Sequence, residues 1–110
     1  MDIDWKNLHI DGVSKIEKLI GEYSIYTHAV FHFIRFRIYE RQNGQFYCVA
    51  GITVKTADTD EFIRPYGEGD ITYRALANAI CHLYDLVINL NAELDNPAES
   101  NYILSESHEY

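Results

Sequence analysis

Apolar residues take every second position along two stretches of the chain. Val30, Ile34, Phe36 and Ile38, with His32 among them, hold the even positions of the first stretch. Phe46, Cys48, Ala50, Ile52 and Val54 hold those of the second. Alternation of this kind marks strands with one buried face. It predicts strands over about 29–40 and 45–56. The polar break between them contains Asn43-Gly44. A two-residue turn there would set even residues against odd ones and mix the faces. A three-residue loop, Gln42–Gly44, keeps even with even and puts Gly44 at the left-handed bulge position. In that register Ile38 faces Cys48, Phe36 faces Ala50 and Ile34 faces Ile52.

Elsewhere the spacing changes to three and four. Val13, Ile16, Leu19, Ile20 and Tyr23 predict a helix from Asp11 to about Tyr23, with Asp11 as N-cap and Gly21 weakening the last turn. The first ten residues, with Trp5, Leu8 and Ile10, fit a short helix or an extended arm equally well. A short third strand is expected over Glu61–Arg64, stopped by Pro65, and a loop over Tyr66–Gly69. Asp70 then caps a long helix from Ile71 to about Leu94. Its core stripe is Tyr73, Leu76, Ile80, Leu83, Val87, Leu90 and Leu94. Ala77, Tyr84 and Ile88 widen it, and Asn96-Pro97 ends it. The expected fold is α+β, a two-layer sandwich. Its antiparallel sheet, the hairpin plus the short third strand, is covered by an N-terminal and a long C-terminal helix. Residues 1–94 form the domain, and 95–110 form an acidic, flexible tail that Tyr102, Ile103 and Leu104 dock locally.

The length, 110 residues, suits one domain with a modest core. No apolar run is long enough for a membrane helix. The opening MDIDWKNLHIDG is acidic and is not expected to be a secretory signal. Two cysteines, Cys48 and Cys81, make no disulfide framework. A reducing cytoplasm is the default location, and whether the two form a bridge stays open. The net charge of −8 disfavours generic binding to nucleic acid or anionic lipid. Yet residues 29–56 carry Arg35, Arg37, Arg41 and Lys55 against Glu40 alone, a local +3, while the rest of the chain sums to −11.

Two stretches resemble known families. Gly67, Gly69, Ala75 and Ala79 in YGEGDITYRALANAICHLYDL are similar to the Gly-x-Gly loop and spaced alanines of double-stranded-RNA-binding domains. Those domains place lysines at the start of that helix to hold phosphate. The matching region here offers Arg74, beside Glu68 and Asp70, so direct nucleic-acid binding is not expected. YERQNGQFYCV, Gly69-Asp70-Ile71-Thr72 and Ala75-Leu76-Ala77-Asn78-Ala79 resemble HicB-type antitoxins. The hairpin and alanine-rich helix also resemble small phage proteins with an α-β-α sandwich. Each resemblance spans about residues 30–90 and implies the same architecture.

No catalytic or cofactor-binding motif stands out. The five histidines lack metal-helix spacing, and His32 reads as a core residue. Cys48 reads as a small buried apolar group. Ala57-Asp58-Thr59-Asp60-Glu61 lacks the ligand ladder of a calcium loop. The odd face of the hairpin differs. It brings Phe31, Phe33, Arg35, Arg37 and Tyr39 beside Tyr47, Val49, Gly51, Thr53 and Lys55. A solvated sheet face is ordinarily polar. Either the N-terminal arm, the tail or a second subunit covers it, or it meets a partner. The candidate binding residues are therefore Phe31, Phe33, Arg35, Arg37, Tyr39, Tyr47 and Lys55. Arginine and aromatic anchors suit a protein partner. That points to a non-enzymatic inhibitor, antitoxin, immunity or phage anti-defence protein. The alternative is a nucleotide or other anionic ligand held by the same arginines. The apolar width of the last helix, at Tyr84 and Ile88, adds a homodimer or larger assembly to the expectations.

Overall fold

The computed structural model describes residues 4–27, 32–56, 61–93, 102–105 and Tyr110. The fold is α+β, with two antiparallel sheets and one α-helix among the described residues. Strands β1 (Glu17–Thr27), β2 (His32–Arg41), β3 (Phe46–Ala50) and β6 (Tyr66–Gly69) form a sheet in the order β1-β2-β3-β6. Strands β4 (Ile52–Lys55), β5 (Phe62–Ile63) and β7 (Tyr102–Leu104) form a second in the order β5-β4-β7. Helix α1 runs Thr72–Glu93.

The β2–β3 hairpin has the expected register. Ile38 pairs with Cys48 and Phe36 with Ala50. The loop is Gln42–Gly44, closed by Arg41 N–H donating to the Gln45 carbonyl at 2.8 Å. Gly44 sits at φ +86°, the left-handed backbone a side chain disfavours. The pairing stops short of Ile34 and Ile52, because the chain changes sheets at Gly51. Beyond that residue β4 pairs instead with β5 and β7.

The expected N-terminal helix is absent. Among residues 4–16 the only helical element is a 3-10 turn at Trp5–Asn7, and the part of the expected helix from Glu17 onward belongs to β1. Asp11-Gly12 is a turn rather than a cap: Val13 N–H donates to the Ile10 carbonyl at 3.0 Å, and Gly12 has φ +89°. The segment Ile20–Thr27 is rich in β-branched and aromatic residues. Pairing along the whole of β2 satisfies backbone groups that a helix laid across the face would leave open. The ladder absorbs one extra residue, Ile20, between Leu19↔Tyr39 and Gly21↔Ile38.

Tyr66–Gly69, expected as a loop, is an edge strand paired with β3. The third strand is confined to Phe62–Ile63. Helix α1 begins one residue later than expected, and Asp70 bonds the Arg74 guanidinium at 3.2 Å.

One core joins both sheets to the helix. Ile34, Phe36, Ile38, Cys48, Ala50, Ile52 and Val54 pack against Ala75, Ala79, Leu83 and Val87. The helix is therefore rotated from the expected stripe. Tyr73 is 75% exposed, and Leu76 and Ile80 lie at the margin. The reason lies in β6: a Cβ on Gly67 would fall on the backbone of Ala75 and Ala79. Helix and strand touch so closely that only small residues fit between them. The expectations for Val30, Phe31, Leu94, residues 57–60 and most of the tail lie outside the described residues, as do the side chains of His32 and Leu90.

Candidate functional site

The outer face of the four-stranded sheet follows from the same alternation that builds the core. With even residues of β2 turned inward, Phe33, Arg35, Arg37 and Tyr39 turn outward. Ladder partners align Glu22 with Arg37, Ser24 with Arg35 and Tyr26 with Phe33. On the other side Tyr39 meets Tyr47, and Tyr47 meets Glu68.

Charge on this face is largely paired. Arg37 Nε donates to Glu22 Oε2 at 2.7 Å. That bond holds the Glu22 carboxyl below its ordinary value and raises the Arg37 guanidinium above its own. Arg41 lies 3.4 Å from both Glu17 and Glu68, with its guanidinium 4.8 Å above the Tyr47 ring. Burial pushes the Tyr47 phenol up. The basic excess visible in the hairpin sequence is thus offset by acids from β1 and β6. Arg35 differs. Its side chain is 60% exposed, and its contact with Glu22 is long, at 3.9 Å. Beside it Phe33 is 68% exposed and tilts onto Tyr26 with ring centres 5.2 Å apart.

Tyr110 seats on the middle of this face. Its ring centre lies 4.3 Å from the Arg37 guanidinium and 5.5 Å from that of Arg64. Its main-chain oxygen accepts from Arg37 Nη1 at 3.0 Å and from the Tyr39 hydroxyl at 3.4 Å. Arg64 is tied down in turn, donating from Nη1 to the Ala50 carbonyl at 2.9 Å and to Ser105 Oγ at 2.7 Å. A cavity of about 190 Å³ opens beside the ring, lined by Phe33, Arg35, Gly51, Leu104, Ser105 and Tyr110.

Of the expected binding residues, the fold brings together Phe33, Arg35, Arg37, Tyr39 and Tyr47. Lys55 lies on β4 in the other sheet, and Phe31 is outside the described residues. Sequence reasoning missed Glu22, Arg64, Ser105 and Tyr110. Glu22 falls within the expected helix, where it could not face Arg37. Arg64 and Tyr110 reach the site by the change of sheet at Gly51, which leaves no local signature. Both cysteines are free, Cys48 buried and Cys81 exposed. Among the described residues no group of three metal-ligating side chains occurs, and no helix is long and apolar enough to cross a membrane.

No known family, curated protein or solved structure matches the chain.

Proposed function

We propose that this chain is a binding protein without enzymatic activity, which holds a protein partner on the outer face of its four-stranded sheet. The observation that carries this is the exposed pair Phe33 and Arg35, backed by Tyr26, on a face where water would favour small polar groups. Aromatic and arginine side chains gathered at one spot are the usual anchors of protein interfaces. Pairing of Arg37 and Arg41 with acids lowers the positive potential of the face, which favours a protein over a highly charged nucleotide. The kind of role this fits is that of an inhibitor, antitoxin, immunity or phage anti-defence protein, working in the cytoplasm. Exposed Tyr73, Tyr84 and Ile88 on α1 belong to the same reading, as a contact face for a second copy. Light scattering that finds only monomer at high concentration removes that part.

The test compares affinity capture by the wild-type chain, by Phe33→Ala/Arg35→Ala and by the control Ile10→Ala, an exposed residue outside both faces. A partner held by wild type and control but lost from the double variant supports the face. Equal capture by all three overturns it. Thermal shift against a nucleotide panel separates the competing reading, because a small ligand raises Tm by mass action.

A further inference from the structure

The Tyr110 seat holds one residue by both its ring and its main chain. Two of its groups address the ring: the Arg37 and Arg64 guanidiniums flank it at 4.3 and 5.5 Å. Two address the main chain: Arg37 Nη1 and the Tyr39 hydroxyl both donate to the main-chain oxygen of the same residue. The floor is Gly51, where an added Cβ would lie 2.7 Å from Cζ and Oη of Tyr110. Each guanidinium is fixed beforehand, Arg37 by Glu22 and Arg64 by Ala50 and Ser105. Such preorganisation lowers the entropic cost of seating a ring.

We infer that this seat is a tyrosine-recognition site, at which Tyr110 stands in for a tyrosine of the partner protein. The electron-rich phenol ring suits two cations better than an aliphatic side chain does. The contacts to the main-chain oxygen require an amino-acid residue, so the ligand is a tyrosine carrying its main chain and not a free phenol. Arg35, exposed at the rim of the adjoining cavity, favours acidic residues next to that tyrosine. The chain's own Glu-Ser-His-Glu-Tyr, residues 106–110, has this composition. Tyr110 and the partner's tyrosine then compete for one place, so the chain restrains its own binding face. This inference rests on the partner-face reading above.

The experiment uses the full-length chain, isotope-labelled and followed by NMR, with the capped peptide Glu-Ser-His-Glu-Tyr as probe. Tyr110→Ala should bind the peptide at least tenfold more tightly than wild type, with shifts centred on the amides of Arg37, Tyr39, Gly51 and Arg64. A peptide ending in alanine should not bind. Adding Gly51→Ala to Tyr110→Ala should cost a further tenfold. If that variant does not fold, Tyr39→Phe, which removes a single donor, should weaken binding severalfold. Equal affinity for wild type and Tyr110→Ala overturns the inference, and so does equal binding of the alanine peptide or no binding to Tyr110→Ala. Dimerisation of the wild type that Tyr110→Ala abolishes would assign the seat to a second copy and also overturn it. Failure here leaves the Phe33→Ala/Arg35→Ala capture result standing, so the two readings fail separately.

Discussion

Two residues show how far a single backbone angle or a single buried group reaches. Gly44 holds φ +86° with open space where a Cβ would point, so any penalty there is conformational and not steric. Gly44→Val should destabilise by about 1–2 kcal/mol in urea unfolding, the cost of a left-handed backbone for a branched side chain. Cys48 has the opposite character, with an ordinary backbone and a sealed side chain. Burial pushes its thiol from 9.0 up to about 12. The folded thiol therefore keeps its proton where the unfolded one has lost it. Its stabilising contribution is complete below the ordinary thiol value and fades as pH rises toward the folded one. Urea midpoints should fall with pH across that window, and less steeply in Cys48→Ala. Thiol reagents should label Cys81 in the folded protein and reach Cys48 only on unfolding.

Among the elements, the contact of α1 with β6 decides which side of the helix is buried. Hydrophobic spacing favoured Tyr73, Leu76 and Ile80, yet the sheet receives Ala75 and Ala79. Close approach at Gly67 outweighs the larger side chains, because dense contact along several turns requires small residues on both sides. Gly67→Ala would set its new methyl 2.5 Å from the Ala75 carbonyl oxygen, so helix and strand must part. The expected loss is about 1–3 kcal/mol or more, measured by thermal unfolding. Ala75→Gly in the same background should recover little, since the clash is with backbone. Strand β1 makes the complementary point. Its apolar residues satisfy helical spacing by coincidence, and its true partner, β2, lies beyond a turn in sequence. The Asp11-Gly12 turn was the local signal that argued against a helix.

For the whole molecule, one cluster links the two sheets. Phe36 from β2, Ile52 and Val54 from β4, and Leu83 and Val87 from α1 all belong to it. Among the described residues neither sheet has a separate core, so both should unfold in a single transition. Phe36→Ala should cost about 3–5 kcal/mol, and exchange of the β2 and β4 amides should accelerate together. Protection lost in β4 alone would show two units. At this scale the paired charges also matter. The hairpin's local excess of positive charge is met by Glu17, Glu22 and Glu68 across the sheet. Acid should weaken the Glu22–Arg37 contact by protonating Glu22; because its value is depressed, the contact holds above the ordinary carboxylate value and is lost only as pH falls through the lower folded one.

What the sequence determined by itself was local: the β2–β3 register, the three-residue loop with left-handed Gly44, the even-numbered core face and the extent of the last helix. Each depends on a period of two or of 3.6 residues, or on a turn a few residues long, and such signals are complete within a short window. That Phe33, Arg35, Arg37 and Tyr39 share the hairpin's outer face was legible for the same reason. The tertiary structure alone decided that residues 17–27 form a strand, that β4 leaves the first sheet at Gly51, and that Glu22, Arg64 and Tyr110 converge on the hairpin. These depend on which distant backbone groups remain to be paired and on how closely a helix can approach a glycine strand. Both are properties of the assembled chain and not of any segment of it.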